Sequence, residues 1–375
     1  MILGFPKEVV KNEQRFALNP KIAKQYVEKG FVLLIESGAA EECNIDDSEF
    51  IESGAQIVSS SNQIFERADV VIRFHPLQKH EFELIKNKST YISLCQPTRE
   101  IDMIKLFLEK KVTGFSMHLI PRSTLAQTMD ALSSQANIAG YKAVLVGSCH
   151  LNKYMPLLMT AAGTIKPARV LIIGAGVAGL QAIATAKRLG ARVEAFDVRS
   201  EVKEQVESLG ATFIEVSLDS NQNSNSGGYA KEVSEDYKKK QNELICKKLK
   251  KIDLLITTAL IPGKDAPKLI SKDMVSIMKR GAVIMDLAAE NGGNCELTTR
   301  DEIVKHNDVI IDGNTNLVSS VTTDASSLYA KNIFSFLIHI VDKENNQFNF
   351  NDEIASQALY TNDGVCMFEP LKSML

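Results

Sequence analysis

The residues best suited to chemistry lie near the middle of the chain, where glycines are closely spaced after an apolar run. Val170–Ile173 leads into Gly174-Ala175-Gly176-Val177-Ala178-Gly179, and a helical pattern follows. Gly174 permits a tight turn, Gly176 lets the backbone approach a pyrophosphate, and Gly179 lets the helix pack close to the strand. The helix N-terminus offers free N–H groups and a positive dipole end to phosphates. This spacing predicts a dinucleotide-binding turn.

A carboxylate stands where such a site reads the adenosine ribose. The apolar run Val193–Phe196 ends at Asp197, which can accept hydrogen bonds from the ribose hydroxyls and would repel a 2′-phosphate. Arg199 is discordant, because an arginine there could favour NADP. Asp197 occupies the acidic position itself, so the sequence predicts NAD.

A polar stretch between residues 121 and 135 brings four different functional groups close together. It holds a cation, an amide, a carboxylate and a hydroxyl, on Arg122, Gln127, Asp130 and Ser133. The spacing of Gln127, Asp130 and Ser134 predicts one shared helix face. That face could hold a nicotinamide carboxamide and ribose, or it could simply be solvated.

Two further polar segments each follow an apolar run. In Thr257–Gly263, the residues Thr258, Ala259 and Leu260 would lie over a cofactor at the edge of a parallel sheet, unless the segment is an ordinary turn. The segment 286–293 carries Asp286 and Glu290. These acids could serve as a general acid or base, or they could stabilise a turn.

Residues 217–228 form a polar stretch of low complexity, followed by Tyr229 and a helical pattern over Ala230–Lys251. Long loops inside compact domains are commonly functional or disordered. We interpret this one either as a variable insertion or as a lid that carries the tyrosine.

Strands and helices alternate along the whole chain, which predicts α/β architecture. The predicted strands are Ile2–Phe5, Phe31–Glu36, Val70–Phe74, Tyr91–Leu94, Thr113–Ser116, Val170–Ile173, Val193–Phe196, Thr212–Glu215, Leu254–Thr257, Ala282–Asp286 and Val309–Ile311. Long helices are expected over about 125–151 and 324–339. We therefore expect two doubly wound, Rossmann-like domains with parallel sheets, joined by long helices around a cleft. The expected domains are 1–133 with 324–375, and the dinucleotide-binding 134–323.

Composition narrows the classes of protein. The 375 residues are 45% hydrophobic with a net charge of −3, which suits a soluble protein and gives no reason to expect nucleic-acid binding. Six cysteines and six histidines show no metal-ligand spacing, so no metal is predicted. No signal peptide or membrane-spanning stretch is visible, so a cytoplasmic location is expected.

Taken together, these motifs resemble one family. The chain is similar to the soluble NAD(H)-binding domain I of the proton-translocating NAD(P) transhydrogenases, in the form whose alpha subunit is split and ends before its membrane portion. The resemblance covers nearly the whole chain, and its most specific stretches are Pro121–Tyr141, Met159–Leu189, Lys203–Gly210, Gly227–Glu232 with Lys239-Lys240-Gln241, Ile256–Lys264 and Asp286–Cys295.

The resemblance implies roles for particular residues. In the family an arginine–glutamine–aspartate loop with a serine holds the nicotinamide end, and these fall on Arg122, Gln127, Asp130 and Ser133. The ribose carboxylate falls on Asp197, and the tyrosine of a mobile loop falls on Tyr229. Backbone contacts to the nucleotide fall on Ala175, Gly176, Val177, Val198, Arg199, Gly228, Thr258 and Leu260.

The resemblance also implies chemistry and partners. Hydride would pass directly from NADH here to NADP on domain III of a separate beta subunit, and membrane subunits would couple this transfer to proton movement. The resemblance implies a homodimer of this component. No acid–base residue is then required in this chain, because positioning is the main catalytic contribution.

The alternative is an amino-acid dehydrogenase of the alanine dehydrogenase type, which shares the opening pattern of residues 6–18. Those enzymes use an Arg, a Lys, a catalytic His and an Asp. Arg15 matches, Arg73 stands near the expected lysine, and Glu290 takes the place of the aspartate. The region expected to hold the histidine, 91–96, has none, which removes the acid–base group. A catalytically silent NAD sensor is disfavoured because the nicotinamide-facing set is complete.

Overall fold

The structure, a computed structural model, describes residues 1–215, 235–261, 264–342 and 345–375. It divides into two compact units. Unit 1 comprises Met1–Gln135 and Ser319–Leu375, and unit 2 comprises Ala136–Val318. One boundary therefore falls inside a long helix, and the other falls just before a second long helix.

Strands and helices alternate through both units. The strands are β1 (Ile2–Phe5), β2 (Val32–Glu36), β3 (Gln56–Val58), β4 (Val70–Ile72), β5 (Thr90–Ser93), β6 (Thr113–Ser116), β7 (Leu158–Thr160), β8 (Gly163–Ile165), β9 (Arg169–Ile173), β10 (Arg192–Phe196), β11 (Thr212–Ile214), β12 (Leu254–Thr257), β13 (Val283–Asp286), β14 (Ile303–His306), β15 (Val309–Asp312), β16 (Leu359–Asn362) and β17 (Val365–Cys366). The α-helices are α1 (Pro20–Glu28), α2 (Asp47–Glu52), α3 (Ser61–Arg67), α4 (Ile101–Glu109), α5 (Ala131–His150), α6 (Val177–Arg188), α7 (Lys203–Ser208), α8 (Glu235–Leu249), α9 (Lys272–Ser276), α10 (Thr322–Ile340), α11 (Glu353–Ala358) and α12 (Glu369–Lys372).

The sheet of unit 1 is mostly parallel. Its order is β17-β16-β6-β5-β4-β1-β2-β3, in which β16 and β17 pair antiparallel at one edge. The parallel part repeats the order 3-2-1-4-5-6 of dinucleotide-binding sheets. Its central strand β4 is buried on both faces, which explains its uninterrupted apolar sequence Val-Val-Ile.

The sheet of unit 2 has the same central order. It runs β11-β10-β9-β12-β13-β15-β14, and only β14 among these strands pairs antiparallel. β9 lies between β10 and β12, with Val170 opposite Val193 on one side and Leu254 on the other. The chain connections reverse direction between β9 and β12, and the crevice at such a switch point is where open α/β sheets bind ligands.

The expectation of two mostly parallel α/β sheets with helices is confirmed, but several elements escaped prediction. No clear alternating or apolar pattern marks the short strands β3, β14, β16 and β17, or the separate ribbon of β7 and β8. Within the described ranges, no helix combines the length and apolar character needed to cross a bilayer.

The long helix predicted to begin near residue 125 begins six residues later, and this corrects the expected helix face. Gln127 lies in a 3-10 turn that runs to Met129, and Asp130 is non-helical, with ψ of 85°. The Asp130 carboxylate accepts the backbone N–H of Ser133 at 2.8 Å, as an N-cap does. Gln127, Asp130 and Ser134 therefore do not share one face of an α-helix.

Candidate functional site

The glycine-rich turn of unit 2 joins β9 to α6, and two of its glycines have no substitute. Gly174 has φ of +97°, and a Cβ there would come 2.4 Å from the Thr258 Oγ1. A Cβ on Gly179 would come 1.8 Å from the carbonyl oxygen of Gly174. Gly174 is required by its positive φ and by this close approach, and Gly179 is required by the close approach alone.

Gly176 differs, because its surroundings are open. It is the N-cap of α6, and a Cβ placed on it would meet no atom within 4 Å. The first N–H groups of a helix have no intrahelical acceptor, and they carry the positive end of the helix dipole. The end of α6 therefore presents donors to open space, an arrangement that suits an anionic pyrophosphate.

Asp197 lies at the end of β10 and is almost fully buried. One carboxylate oxygen accepts the N–H of Ala175 at 2.7 Å, which ties the glycine turn to β10. The guanidinium of Arg199 donates to both carboxylate oxygens, at 2.9 and 3.0 Å, and the Arg199 backbone N–H donates to one of them. The basic side chain that looked discordant in the sequence is thus paired with the acidic one. Val198 lies between them and is partly buried.

The segment after β12 lies beside the glycine turn. The Thr258 hydroxyl donates to the carbonyl oxygen of Gly174 at 3.1 Å. Ala259 is partly buried, and Leu260 is exposed. The structure therefore brings together, at one end of the unit 2 sheet, Gly174, Ala175, Gly176, Val177, Gly179, Asp197, Val198, Arg199, Thr258, Ala259 and Leu260. The predicted Gly228 and Tyr229 lie outside the described residues.

The polar stretch predicted to face the nicotinamide belongs to unit 1, in the segment between β6 and α5. Arg122 and Gln127 are exposed, while Ala126 and Met129 between and after them are buried in the unit 1 core. Asn332 of α10 donates to the carbonyl oxygen of Thr128 at 2.8 Å. The segment is thus anchored to the core of unit 1, while the side chains of Arg122 and Gln127 are exposed to solvent.

Asp130 and Ser133 form a local pair at the start of α5. The Ser133 hydroxyl donates to the Asp130 carboxylate at 2.6 Å, in addition to the N-cap bond from the Ser133 N–H. Both residues are partly exposed. The carboxylate is therefore oriented by its own helix and remains accessible to solvent.

Asp286, the last residue of β13, matches the interpretation that this acid stabilises a turn. Asp286 is buried and accepts hydrogen bonds from the Thr257 and Thr298 hydroxyls at 3.0 and 2.6 Å. It also accepts the N–H groups of Ala288 and Cys295. This saturated carboxylate fixes the turn, whereas the Glu290 side chain is exposed.

A charged cluster around the buried carboxylate of Glu13 in unit 1 was not predicted from the sequence. Glu13 accepts two hydrogen bonds from the Arg15 guanidinium at 2.8 and 2.6 Å, and His75 Nε2 lies 2.6 Å from the same carboxylate. Burial would raise the pKa of Glu13, but the hydrogen bonds from Arg15 and His75 outweigh it and hold that pKa well below its usual value. Burial lowers the pKa of His75, yet the hydrogen bond to Glu13 raises it overall.

Arg73 lies deeper in the same unit. It is 1% exposed, its Nη1 donates to both oxygens of Glu81 at 2.7 Å, and its Nη2 donates to the carbonyl oxygen of Lys7. The sequence places Arg73 and Glu81 eight residues apart without a regular element to relate them, so only the fold reveals the pair. Among the residues that the structure describes, no group of acids, histidines and cysteines is arranged to hold a metal ion.

Comparisons with known proteins cover the whole chain. Residues 4–139 match the alanine dehydrogenase/PNT N-terminal domain, and residues 143–369 match the alanine dehydrogenase/PNT C-terminal domain. The chain is 45% identical to the first part of the split NAD(P) transhydrogenase subunit alpha of Rhodospirillum rubrum, with 99% of each chain aligned. It is 28% identical to alanine dehydrogenase of Methanococcus maripaludis, over 98% of this chain and 95% of that one.

A solved structure agrees with the sequence comparisons. The crystal structure of transhydrogenase from Sinorhizobium meliloti superposes with a TM-score of 0.85 at 36% identity and covers 98% of both chains. The match extends over both units and is not confined to the dinucleotide-binding fold. This chain belongs to the alanine dehydrogenase/PNT family and is related over its whole length to the first part of the NAD(P) transhydrogenase alpha subunit.

Proposed function

We propose that this chain is the NAD(H)-binding component of a proton-pumping NAD(P) transhydrogenase. In this proposal hydride passes directly from NADH to NADP⁺ bound on a partner subunit, and membrane subunits couple the transfer to proton translocation. The observation that carries the proposal is the 45% identity, over 99% of both chains, to a protein named as the first part of a transhydrogenase alpha subunit. The dinucleotide-binding fold alone would not distinguish it from a dehydrogenase.

Unit 2 would hold the nucleotide. The open space around Gly176 and the donors of the first turn of α6 suit the pyrophosphate. Asp197 would accept hydrogen bonds from the ribose hydroxyls. These would add to the hydrogen bonds that it accepts from Arg199, or replace them. Backbone groups of Ala175, Val177, Val198, Thr258, Ala259 and Leu260 would line the rest, and Gly228 and Tyr229 would cover it.

Unit 1 would position the nicotinamide end through Arg122, Gln127, Asp130 and Ser133. The Gln127 amide can pair with a carboxamide, and Asp130 is already oriented by Ser133. The exposed guanidinium of Arg122 can interact with a carbonyl or phosphate oxygen. The nicotinamide supplies the hydride when bound, while these side chains supply orientation, which is the main contribution when two rings must meet.

The proposed partners follow from the same relationship. They are an NADP(H)-binding domain III of a beta subunit, membrane-spanning transhydrogenase subunits and a second copy of this chain. A homodimer is supported by the β7–β8 ribbon, which pairs with no other described strand and leaves Met159 73% exposed. The ribbon and its turn carry no ionisable residue from 157 to 165, so the edge lacks the charges that commonly discourage pairing. Such a complex would keep the chain on the cytoplasmic face of the inner membrane.

An alanine dehydrogenase-like activity is the alternative, and Arg15 and the family membership favour it. Arg15 is engaged with Glu13 and donates to Gln135 at 2.9 Å, while Arg73 is buried against Glu81. Neither guanidinium is positioned to hold a substrate carboxylate without breaking an internal ion pair. We therefore expect no alanine-dependent reduction of NAD⁺, and a measurable rate would revive this alternative.

Reconstitution tests the proposal directly. The purified chain is mixed with a transhydrogenase domain III loaded with an NADP⁺ analogue, and hydride transfer from NADH to that analogue is followed. Arg122→Ala and Gln127→Asn should slow transfer about tenfold or more, because misplaced reacting groups lose much of the advantage of proximity. Both residues are exposed, so thermal stability should stay near that of the parent protein. Thr124→Ala, at an exposed position on the same segment, is the matched control. Equal rates in all four proteins would remove the segment from the nicotinamide site.

A further inference from the structure

The side-chain amide of Asn294 in unit 2 is buried, and its hydrogen bonds all go to the segment that follows β12. Asn294 is 0% exposed. Its Oδ1 accepts the N–H of Ala259 at 3.0 Å, and its Nδ2 donates to the carbonyl oxygens of Ala259 at 2.8 Å and Pro267 at 2.9 Å. Both backbone groups of Ala259 are thus paired with one side chain, as they would be with a neighbouring strand.

Asn294 is itself held by the surrounding backbone. Its backbone carbonyl oxygen accepts hydrogen bonds from the N–H groups of Leu269 and Ile270, at 2.8 and 3.0 Å. The N–H of the next residue, Cys295, donates to the saturated carboxylate of Asp286. The amide is therefore a fixed point that can hold Ala259 in place, because its own position is determined on both sides.

The neighbouring residue connects this contact to the glycine turn. Thr258 donates to Gly174, and a Cβ on Gly174 would collide with the Thr258 hydroxyl. Asn294 holds Ala259 on one side of that contact, and β9 holds Gly174 on the other. The Thr258 N–H also donates to the carbonyl oxygen of Ile173 at 2.9 Å, so Asn294 and this bond together fix the separation between the two segments that flank the switch point.

We infer that Asn294 is a positioning residue for the dinucleotide, setting the place of the Thr258–Leu260 backbone against the glycine turn. The inference rests on the proposed function, since it requires NAD(H) to bind at this switch point. Asn294 does not touch the nucleotide in this role, and it acts through Ala259. Removing it releases two backbone groups of the segment, and the expected cost is a weaker nucleotide complex and not merely a less stable fold.

The test separates positioning from stability. Asn294→Ala removes the three hydrogen bonds, and Asn294→Ser keeps a small polar group in case the alanine variant does not fold. Asp253→Asn is the matched control, because Asp253 is also buried and holds Lys153 and Lys279, but it precedes β12 at the opposite end of that strand. NADH affinity is measured by fluorescence titration well below the melting temperature of each full-length protein, together with the melting temperature itself.

We expect the NADH dissociation constant of the Asn294 variants to rise about tenfold, the equivalent of one lost hydrogen bond. The control should melt earlier yet bind NADH as the parent does. In the reconstituted reaction KM for NADH should rise more than kcat falls. An Asn294 variant that binds NADH as tightly as Asp253→Asn, at a similar loss of melting temperature, overturns the inference and leaves only a structural role. A parent protein that does not bind NADH overturns the proposed function instead, and this inference with it.

Discussion

The two units share a strand order, but the residues that follow their central strands differ. In unit 2 the segment after the central strand β9 is rich in glycine, and the surroundings of Gly176 are open. In unit 1 the corresponding segments follow β1 and β4, and they contain Glu8 and Arg73. Arg73 reaches back to the carbonyl oxygen of Lys7, and Glu8 accepts the N–H of Phe74 at 2.6 Å. Two charged side chains thus link these segments in unit 1, whereas in unit 2 the Thr258 hydroxyl makes the link and the surroundings of Gly176 stay open.

The difference shows that the fold supplies a crevice and that local residues decide its use. A buried guanidinium is tolerated only with paired partners, and Arg73 has them in Glu81 and the Lys7 carbonyl group. Such a pair cross-links the two segments at a switch point. The glycine turn does the reverse, because it removes side chains and exposes the end of a helix.

The largest effect is expected from breaking the cross-link of unit 1. Arg73→Met leaves Glu81 buried without its cation, which should lower the free energy of unfolding by about 3–5 kcal/mol. Arg73→Met with Glu81→Gln should recover part of that loss, since no buried charge then remains. Urea unfolding of both variants checks this. If the unit 1 crevice were instead an amino-acid site, Arg73→Met would abolish dehydrogenation without a comparable loss of stability.

The glycine turn of unit 2 should separate folding from binding. Gly176→Ala places a methyl group in open space, so stability should hardly change while the NADH dissociation constant rises by about two orders of magnitude, or ~2.7 kcal/mol. Gly179→Ala drives a methyl group into the Gly174 carbonyl oxygen and should weaken both binding and folding. Thermal unfolding and NADH titration of the two variants make the comparison. Unchanged NADH affinity in Gly176→Ala would place the pyrophosphate elsewhere.

Nucleotide preference offers a smaller, paired test in unit 2. Asp197→Asn should reduce the preference for NADH over NADPH about tenfold, because the charge that repels a 2′-phosphate is lost. Arg199→Gln should shift the preference the other way by a few-fold, since the guanidinium now partly neutralises that charge. Titration with both nucleotides measures each ratio. A shift of the same sign in both variants would contradict opposed roles for the two side chains.

Whether a feature could be predicted from the sequence depended on how far apart along the chain its interacting residues lie. The strands β1, β9 and β12 and the glycine turn are local signals of composition and spacing, so they could be predicted within a residue or so. The start of α5 was predicted too early, because the capping role of Asp130 competes with an otherwise helical pattern. The pairs Arg73–Glu81 and Asn294–Ala259 depend on where the chain returns in space, and no spacing encodes them.

The smallest effect is expected in the pH dependence of the stability of unit 1. It arises from His75, and the described residues of the glycine turn in unit 2 include no histidine. His75 faces Glu13, Glu8 and Arg15; the two carboxylates favour its charged form and Arg15 opposes it. Because its pKa is raised above the ordinary 6.5, the stabilisation is complete below that value and is lost as pH rises through the folded-state pKa.

The pKa of Glu13 is lowered, so its contribution is present above its ordinary 4.5 and is lost only under strong acid. His75→Gln should therefore remove a decline in stability of about 1 kcal/mol or less between pH 6 and 9, the scale of a partly exposed ion pair. Urea midpoints of both proteins across that range give the difference, in which the other histidines cancel. Parallel curves would mean that the Glu13 contact does not depend on the charge of His75, and that Arg15 alone balances this carboxylate in unit 1.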